Sequence, residues 1–462
     1  MVSNLRARLA RLRQQSEKTQ NIAKAAGSGA AADSPGSIPP GWTLCAYKVL
    51  RRTFTLPLDM PAALLPAMPT VLPETLPLLI PDLNGDSAVL PKPGDFLFFD
   101  LETTGLSGGA GTVAFLAAFG RFIFDEQNQR FTDLELTQFL LLDYPGEADF
   151  LEAVLSFQKD HPGFLTTYNG KAFDIPLIKT RCLMNGIPSP RFFQADLLHP
   201  ARRLWKRILP NCSQATIETA VLGLDRTGDL PGAMAPDIWF TFLRSGGEFF
   251  SSTAGSAAAA LLAICDHNVK DIFGLAGLFR AFTEIAALPL EAVRRFRCDG
   301  ENLALRWRRA FIKASSRRDK DTARKLLEAA AEVYPRSALR LAFDQIREGR
   351  YEEARTVLQR LGGTEPRFPL KRETTTSSEG GKGTWKVPCT AAVRALALRA
   401  LAIDAVKRLQ RPDLALSFLE RALTPLPAVP DMPDRPLPQG LQADLERRRE
   451  QLWGYSKRPS AL

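Results

Sequence analysis

Phe96-Leu97-Phe98-Phe99 is an unbroken apolar run of strand length that ends in two acidic residues spaced two apart, Asp100 and Glu102. A run apolar at every position has no polar face to give to water, so it fits a strand covered on both sides at the centre of an α/β sheet. Side chains alternate along a strand, so Asp100 and Glu102 leave the same face. Two carboxylates so placed can share a hard cation. A pair of Mg2+ or Mn2+ ions held by such oxygens activates water and stabilises the leaving oxygen in phosphodiester hydrolysis. Taken alone, the same two acids also suit a solvated strand end.

The flanking pattern extends this strand into a domain. Val113 to Phe124 and Leu134 to Leu142 read as further strands, and Phe164 to Tyr168 as a short one. Asp149 to Lys159 and Lys171 to Asn185 have helical spacing, the second closed by Gly186. Strands followed by alternating helix and strand predict a mixed-sheet α/β domain over 95–285. Ahead of it, residues 1–40 run from a basic stretch into Ala, Gly, Ser and Pro, which predicts a disordered basic tail. Residues 41–94 are rich in proline and predict irregular or edge segments packed on the domain.

After 286 the composition turns to Ala, Leu, Arg and Glu, which predicts an all-α region to 462. Gly349-Arg-Tyr-Glu-Glu-Ala-Arg-Thr-Val-Leu358 and Arg411-Pro-Asp-Leu-Ala-Leu-Ser-Phe-Leu-Glu-Arg-Ala-Leu423 repeat one arrangement of small and large apolar residues behind a turn. That repetition predicts a tetratricopeptide-like helical array, a surface on which a protein partner can dock. Residues 362–386, rich in Gly, Thr and Ser, read as a disordered insertion.

Composition narrows the function. A chain of 462 residues that is 45% apolar exceeds one ordinary core, and a net charge of +10 favours a polyanionic partner such as nucleic acid. Arg202, Arg203 and Lys206 cluster around Trp205, which suits phosphate contacts and base stacking, or else an amphipathic helix with Leu204 and Trp205 turned inward. A second basic stretch, Arg294 to Arg318, is open to the same two readings. Six cysteines with no CxxC pair argue against a zinc ribbon or a disulfide scaffold. No secretory signal follows the first arginines and the longest apolar stretch, 257–264, is too short for a bilayer, so the expected location is cytoplasmic, with no membrane partner. Glycines near 108 do not by themselves make a dinucleotide site.

Three segments carry a family likeness. Asp100-Leu-Glu-Thr-Thr-Gly-Leu106 resembles the first motif of the DnaQ-like (DEDD) superfamily of 3'-5' exonucleases, Tyr168-Asn-Gly-Lys-Ala-Phe-Asp174 the second, and His267-Asn-Val-Lys-Asp271 the third. Between the last two, Asp196 to Trp205, Leu209 to Glu218, Leu222 to Arg226 and Asp229 to Gly232 resemble the YprB-like ribonuclease-H-like branch. The resemblance implies a ribonuclease-H-like fold and a two-metal nuclease acting on single-stranded DNA or RNA. It also implies roles for the acids: Asp100 bridging both ions, Glu102 and Asp271 on the ion that activates water, and Asp174 on the other. Asn169 precedes that last acid within its motif, and Thr103 and Thr104 are placed to contact a substrate terminus or to form an ordinary loop. One departure stands out, because His267 occupies the spacing that the family gives to a Tyr. It can orient or deprotonate the attacking water, or lie on a helix surface. A catalytically silent binding scaffold and a structure-selective endonuclease remain as alternatives on the same fold.

Overall fold

The computed structural model describes residues 38–58, 68–84, 91–105, 111–224, 226, 228–247, 249, 256–311, 317–363, 367–371, 384–388, 390–425 and 436–456. The expected N-terminal tail and the tip of the loop after Gly105 lie outside these residues. Two compact units are present, Met1–Cys298 and Asp299–Leu462.

The first unit is built on a seven-stranded mixed sheet: β1 (Thr43–Ala46), β2 (Val49–Pro57), β3 (Phe96–Thr103), β4 (Ala114–Asp125), β5 (Arg130–Leu141), β6 (Phe164–Thr167) and β7 (Phe193–Asp196). Their order is β1-β2-β5-β4-β3-β6-β7, with β3, β6 and β7 parallel and the remaining pairs antiparallel. The acidic strand is therefore central, and its aromatic run is buried on both faces as the apolar pattern requires. Phe98 meets Phe122 and Phe279 on one side, while Phe99 meets Phe119 on the other.

Helix α1 (Glu147–Asp160) closes the second face, its Phe157 lying 4.8 Å from Phe119. Helices α2 (Asp174–Met184), α3 (Leu198–Trp205), α4 (Gln214–Ile217) and α5 (Ala235–Arg244) follow in the chain. The first face is crossed by α6 (Ala257–Ala287), which starts at Ser256, whose hydroxyl accepts the Ala259 N–H. Close approach of α6 depends on Gly120 of β4. A Cβ there would overlap Cγ2 of Ile272 and lift the helix off the strands.

The second unit contains the helices Gly300–Phe311, Arg317–Ala331, Pro335–Arg347, Tyr351–Leu361, Ala391–Lys407, Pro412–Leu423 and Gln439–Ser456. Within the segment expected to be disordered, Arg367–Lys371 pairs antiparallel with Thr384–Pro388. Phe368, Leu370, Trp385 and Val387 alternate with other residues at a period of two, a strand signal that the Gly/Thr/Ser content of the segment masked. Two arginines of the second basic stretch are committed to ion pairs, Arg295 with Glu284 and Arg308 with Asp344. Among the described residues no helix is long and apolar enough to cross a membrane.

Candidate active site

Asp100 and Glu102 project from β3 toward α6, which supplies Asn268 and Asp271 from adjacent turns. Asn268 is fully buried and its Nδ2 donates to Asp100 Oδ2 at 2.8 Å. Glu102, His267 and Asp271 offer ligand atoms that all lie within 4.8 Å of one another. Asp174 enters as the first residue of α2, behind a turn in which Asn169 adopts a left-handed φ of 71°. Asp196 at the end of β7 ties that turn down, accepting the backbone N–H groups of Asn169 at 2.8 Å, Lys171 at 3.2 Å and Leu198 at 3.0 Å. The start of α2, and with it the position of Asp174, is thus set by the neighbouring strand.

The acids feel each other. Burial, then the charges of Asp271, Asp174 and Glu102, push the Asp100 carboxyl well above the usual range, against the Asn268 hydrogen bond that lowers it. Burial and the charges of Asp271, Asp174 and Asp229 do the same to Glu102. Asp174 is raised to about 7 by burial and by Asp196, in spite of its own helix-start backbone. Carboxylates crowded in this way want a cation, and a set of hard oxygens with one imidazole fits Mg2+ or Mn2+ better than a soft metal. Asp100, Glu102, Asp174 and Asp271 would hold such ions, with His267 beside them.

Residues 97–283 match the family model described as the RNase_H superfamily. They form an RNase H superfamily domain. The chain is also similar to the "Uncharacterized protein YprB" of Bacillus subtilis (strain 168), at 36% identity over 188 residues, which is 40% of this chain and 41% of that protein. Among solved structures, the family B DNA polymerase of the hyperthermophilic archaeon Pyrobaculum calidifontis aligns at 14% identity with a TM-score of 0.30, over 49% of this chain and 30% of that one. The matched residues include Asp100, Glu102, Asp174, His267 and Asp271.

The RNase H domain also contains a polar network to which the sequence assigned no role. Arg226 lies among three carboxylates, donating to Glu218, to Asp229 at 2.9 Å and to Asp271 Oδ1 at 2.6 Å. Gln214 Nε2 reaches Glu218 at 2.8 Å and the Asp271 carbonyl at 2.7 Å. His267 is held at both nitrogens, Nδ1 by Asp229 at 2.8 Å and Nε2 toward Asp271 Oδ2 at 3.2 Å. Burial works to raise Asp229, but the donors Arg226, Lys270 and His267 outweigh it and bring its carboxyl to about 2. Glu218 is pushed up to about 7 by burial, although Arg226 opposes this. Its carboxylate fits only because residue 274 on α6 is glycine, where a Cβ would overlap Oε1. An isolated glycine inside a helical pattern was the one local signal of this network.

Thr103, Thr104 and Asn169 also make hydrogen bonds within the turns beside the acids. The Thr103 hydroxyl donates to the Gly105 carbonyl at 2.9 Å, and the Thr104 hydroxyl accepts the Val113 N–H at 2.9 Å, so both close the turn after β3. The Asn169 N–H is spent on Asp196. Trp205 is fully buried and donates to the Phe296 carbonyl at 2.9 Å, which removes it from any base-stacking role. Around it Arg202 and Lys206 are exposed and Arg203 is half-buried, an amphipathic helix rather than a stacking platform.

Proposed function

We propose that the RNase H domain is a two-metal-dependent 3'-5' exonuclease acting on single-stranded DNA or RNA. The observation that carries this reading is the convergence of Asp100, Glu102, Asp174 and Asp271 at the end of one central strand, where burial and the neighbouring acids raise the carboxyls of Asp100 and Glu102. In this reading Asp100, Glu102, Asp174 and Asp271 would hold two Mg2+ or Mn2+ ions, Asp100 shared between them, Glu102 and Asp271 serving the ion that activates water and Asp174 the other. The ions supply the Lewis acidity. His267, oriented by Asp229, takes the proton of the attacking water. Arg202, Arg203 and Lys206 contact phosphates, and the helical unit is a tetratricopeptide-like docking surface for a protein.

A silent nucleic-acid-binding fold is the second reading, favoured by the Arg226 guanidinium already seated on Asp271. One experiment separates the two: wild type and Asp174→Ala with Mn2+ or EDTA on end-labelled linear and circular single-stranded DNA and RNA. The expected result is metal-dependent shortening from the 3' end of linear strands, absent in the variant, with circles intact. Cut circles would make the enzyme an endonuclease. Equal behaviour of wild type and variant on every substrate would leave the silent fold.

A further inference from the structure

Arg52, Gln138, Ala118 and Asp100 form one row across four neighbouring strands, because the register sets Arg52 opposite Gln138, Gln138 opposite Ala118, and Ala118 opposite Asp100. Ala118 is too short to link its neighbours, and Asn268 fills the gap from α6. The result is a continuous chain of hydrogen bonds. Arg52 Nε donates to Gln138 Oε1 at 2.6 Å, Gln138 Nε2 to Asn268 Oδ1 at 2.8 Å, and Asn268 Nδ2 to Asp100 Oδ2 at 2.8 Å. Gln138 Nε2 has a second acceptor in the Cys265 carbonyl at 2.9 Å.

An amide has nearly the same shape either way round, so only its partners decide which end faces where. Gln138 and Asn268 are both fully buried, where a wrongly turned amide would face like with like. A guanidinium only donates, so Gln138 must turn its oxygen to Arg52 and its NH2 to Asn268. Asn268 must then present its oxygen to Gln138 and its NH2 to Asp100. Arg52 is itself held fast, by Asp266 at 3.0 Å and over the rings of Trp42 and Phe54 at 4.7 and 5.2 Å. Both it and Trp42 lie ahead of the residues matched to the superfamily.

The geometry points to Arg52 as a positioning residue for the candidate metal centre: acting through Gln138 and Asn268, it fixes the direction in which Asp100 presents its carboxylate to cations. This rests on the nuclease reading, since it assumes that Asp100 is a metal ligand. Partners behind a metal ligand typically contribute 10–100-fold in metal affinity. The test is calorimetric Mn2+ binding to the full chain, with thermal unfolding measured alongside, for wild type, Arg52→Met, Arg52→Lys and Gln138→Met. Arg52→Met and Gln138→Met, folded, should each bind Mn2+ roughly tenfold more weakly. Arg52→Lys keeps a donor-only cation and should recover most of that loss. Gln138→Met preserves length and apolar packing, and carries the comparison if Arg52→Met does not fold. Folded variants that bind Mn2+ within about twofold of wild type, well short of the roughly tenfold expected, would overturn the relay and leave the nuclease reading standing. A wild type that binds no Mn2+ would overturn the nuclease reading and take the relay with it.

Discussion

Binding of Mn2+ should expel protons, and more of them in mild acid than in mild base. Asp174 titrates at about 7 in the metal-free protein. A carboxyl with that pKa is roughly nine-tenths protonated at about pH 6 and roughly one-tenth at about pH 8. A cation takes the ionised form, so Asp174 alone makes proton release differ by about 0.8 per chain between the two conditions. Asp100 and Glu102, also raised by burial and by their acidic neighbours, add to the release. Affinity should therefore fall as the pH drops. The sign for folding is opposite. An acid whose pKa is raised on folding lends stability that is fully present below its unfolded pKa and is lost as pH rises through the folded one. Without metal, Asp174 and Glu218 should thus lower Tm between about pH 4 and pH 7, and Mn2+ should restore it. Calorimetric titrations in two buffers of unlike ionisation enthalpy measure the protons directly. Equal release at both pH values, or an Asp174→Asn variant that keeps the full difference, would refute the assignment.

Three further outcomes follow from the packing around the site. Gly274→Ala drives a Cβ into the Glu218 carboxylate and should cost about 1–3 kcal/mol in denaturant unfolding; an unchanged midpoint would mean that Glu218 moves aside freely. Asp229→Asn removes the charged partner of His267 Nδ1 and should slow cleavage roughly 10–100-fold at saturating Mn2+, whereas a surface role for His267 predicts no change. Trp205→Ala should lose about 3–5 kcal/mol of stability, and nucleic-acid affinity in the folded protein should stay as it was. A stacking residue would show the reverse.

The central strand was legible because its evidence is local: four consecutive apolar residues and two acids at alternate positions suffice to place Asp100 and Glu102. His267 and Asp271 were legible for the same reason, one helical turn apart. Residues 41–94 were harder. The prolines begin at Pro57, where β2 ends, so composition over the whole window hid a proline-free stretch from Gly41 to Leu56 that forms two strands of the sheet. Trp205 was open to two readings since a helix of eight residues exposes its sequence period but not which side the protein covers. The network that runs from Arg52 to Asp100 was invisible from sequence. Arg52 and Gln138 lie 86 residues apart and Gln138 and Asn268 lie 130 apart, and no periodicity joins them until the strand register does.

Charge accounting ties the two networks to the proposed chemistry. Arg226 pairs with Glu218, Asp229 and Asp271, and Lys270 with Asp229. Burial without metal is costly for Asp100, Glu102 and Asp174, and it raises their carboxyls. Where the chain does supply donors, it spends them on orientation. Asn268 takes one oxygen of Asp100, Arg226 takes one of Asp271, and Asp196 anchors the turn that aims Asp174. Asp100, Glu102 and Asp174 have no such guanidinium among the contacts that orient them, and a bound cation would relieve the charge that their burial penalises.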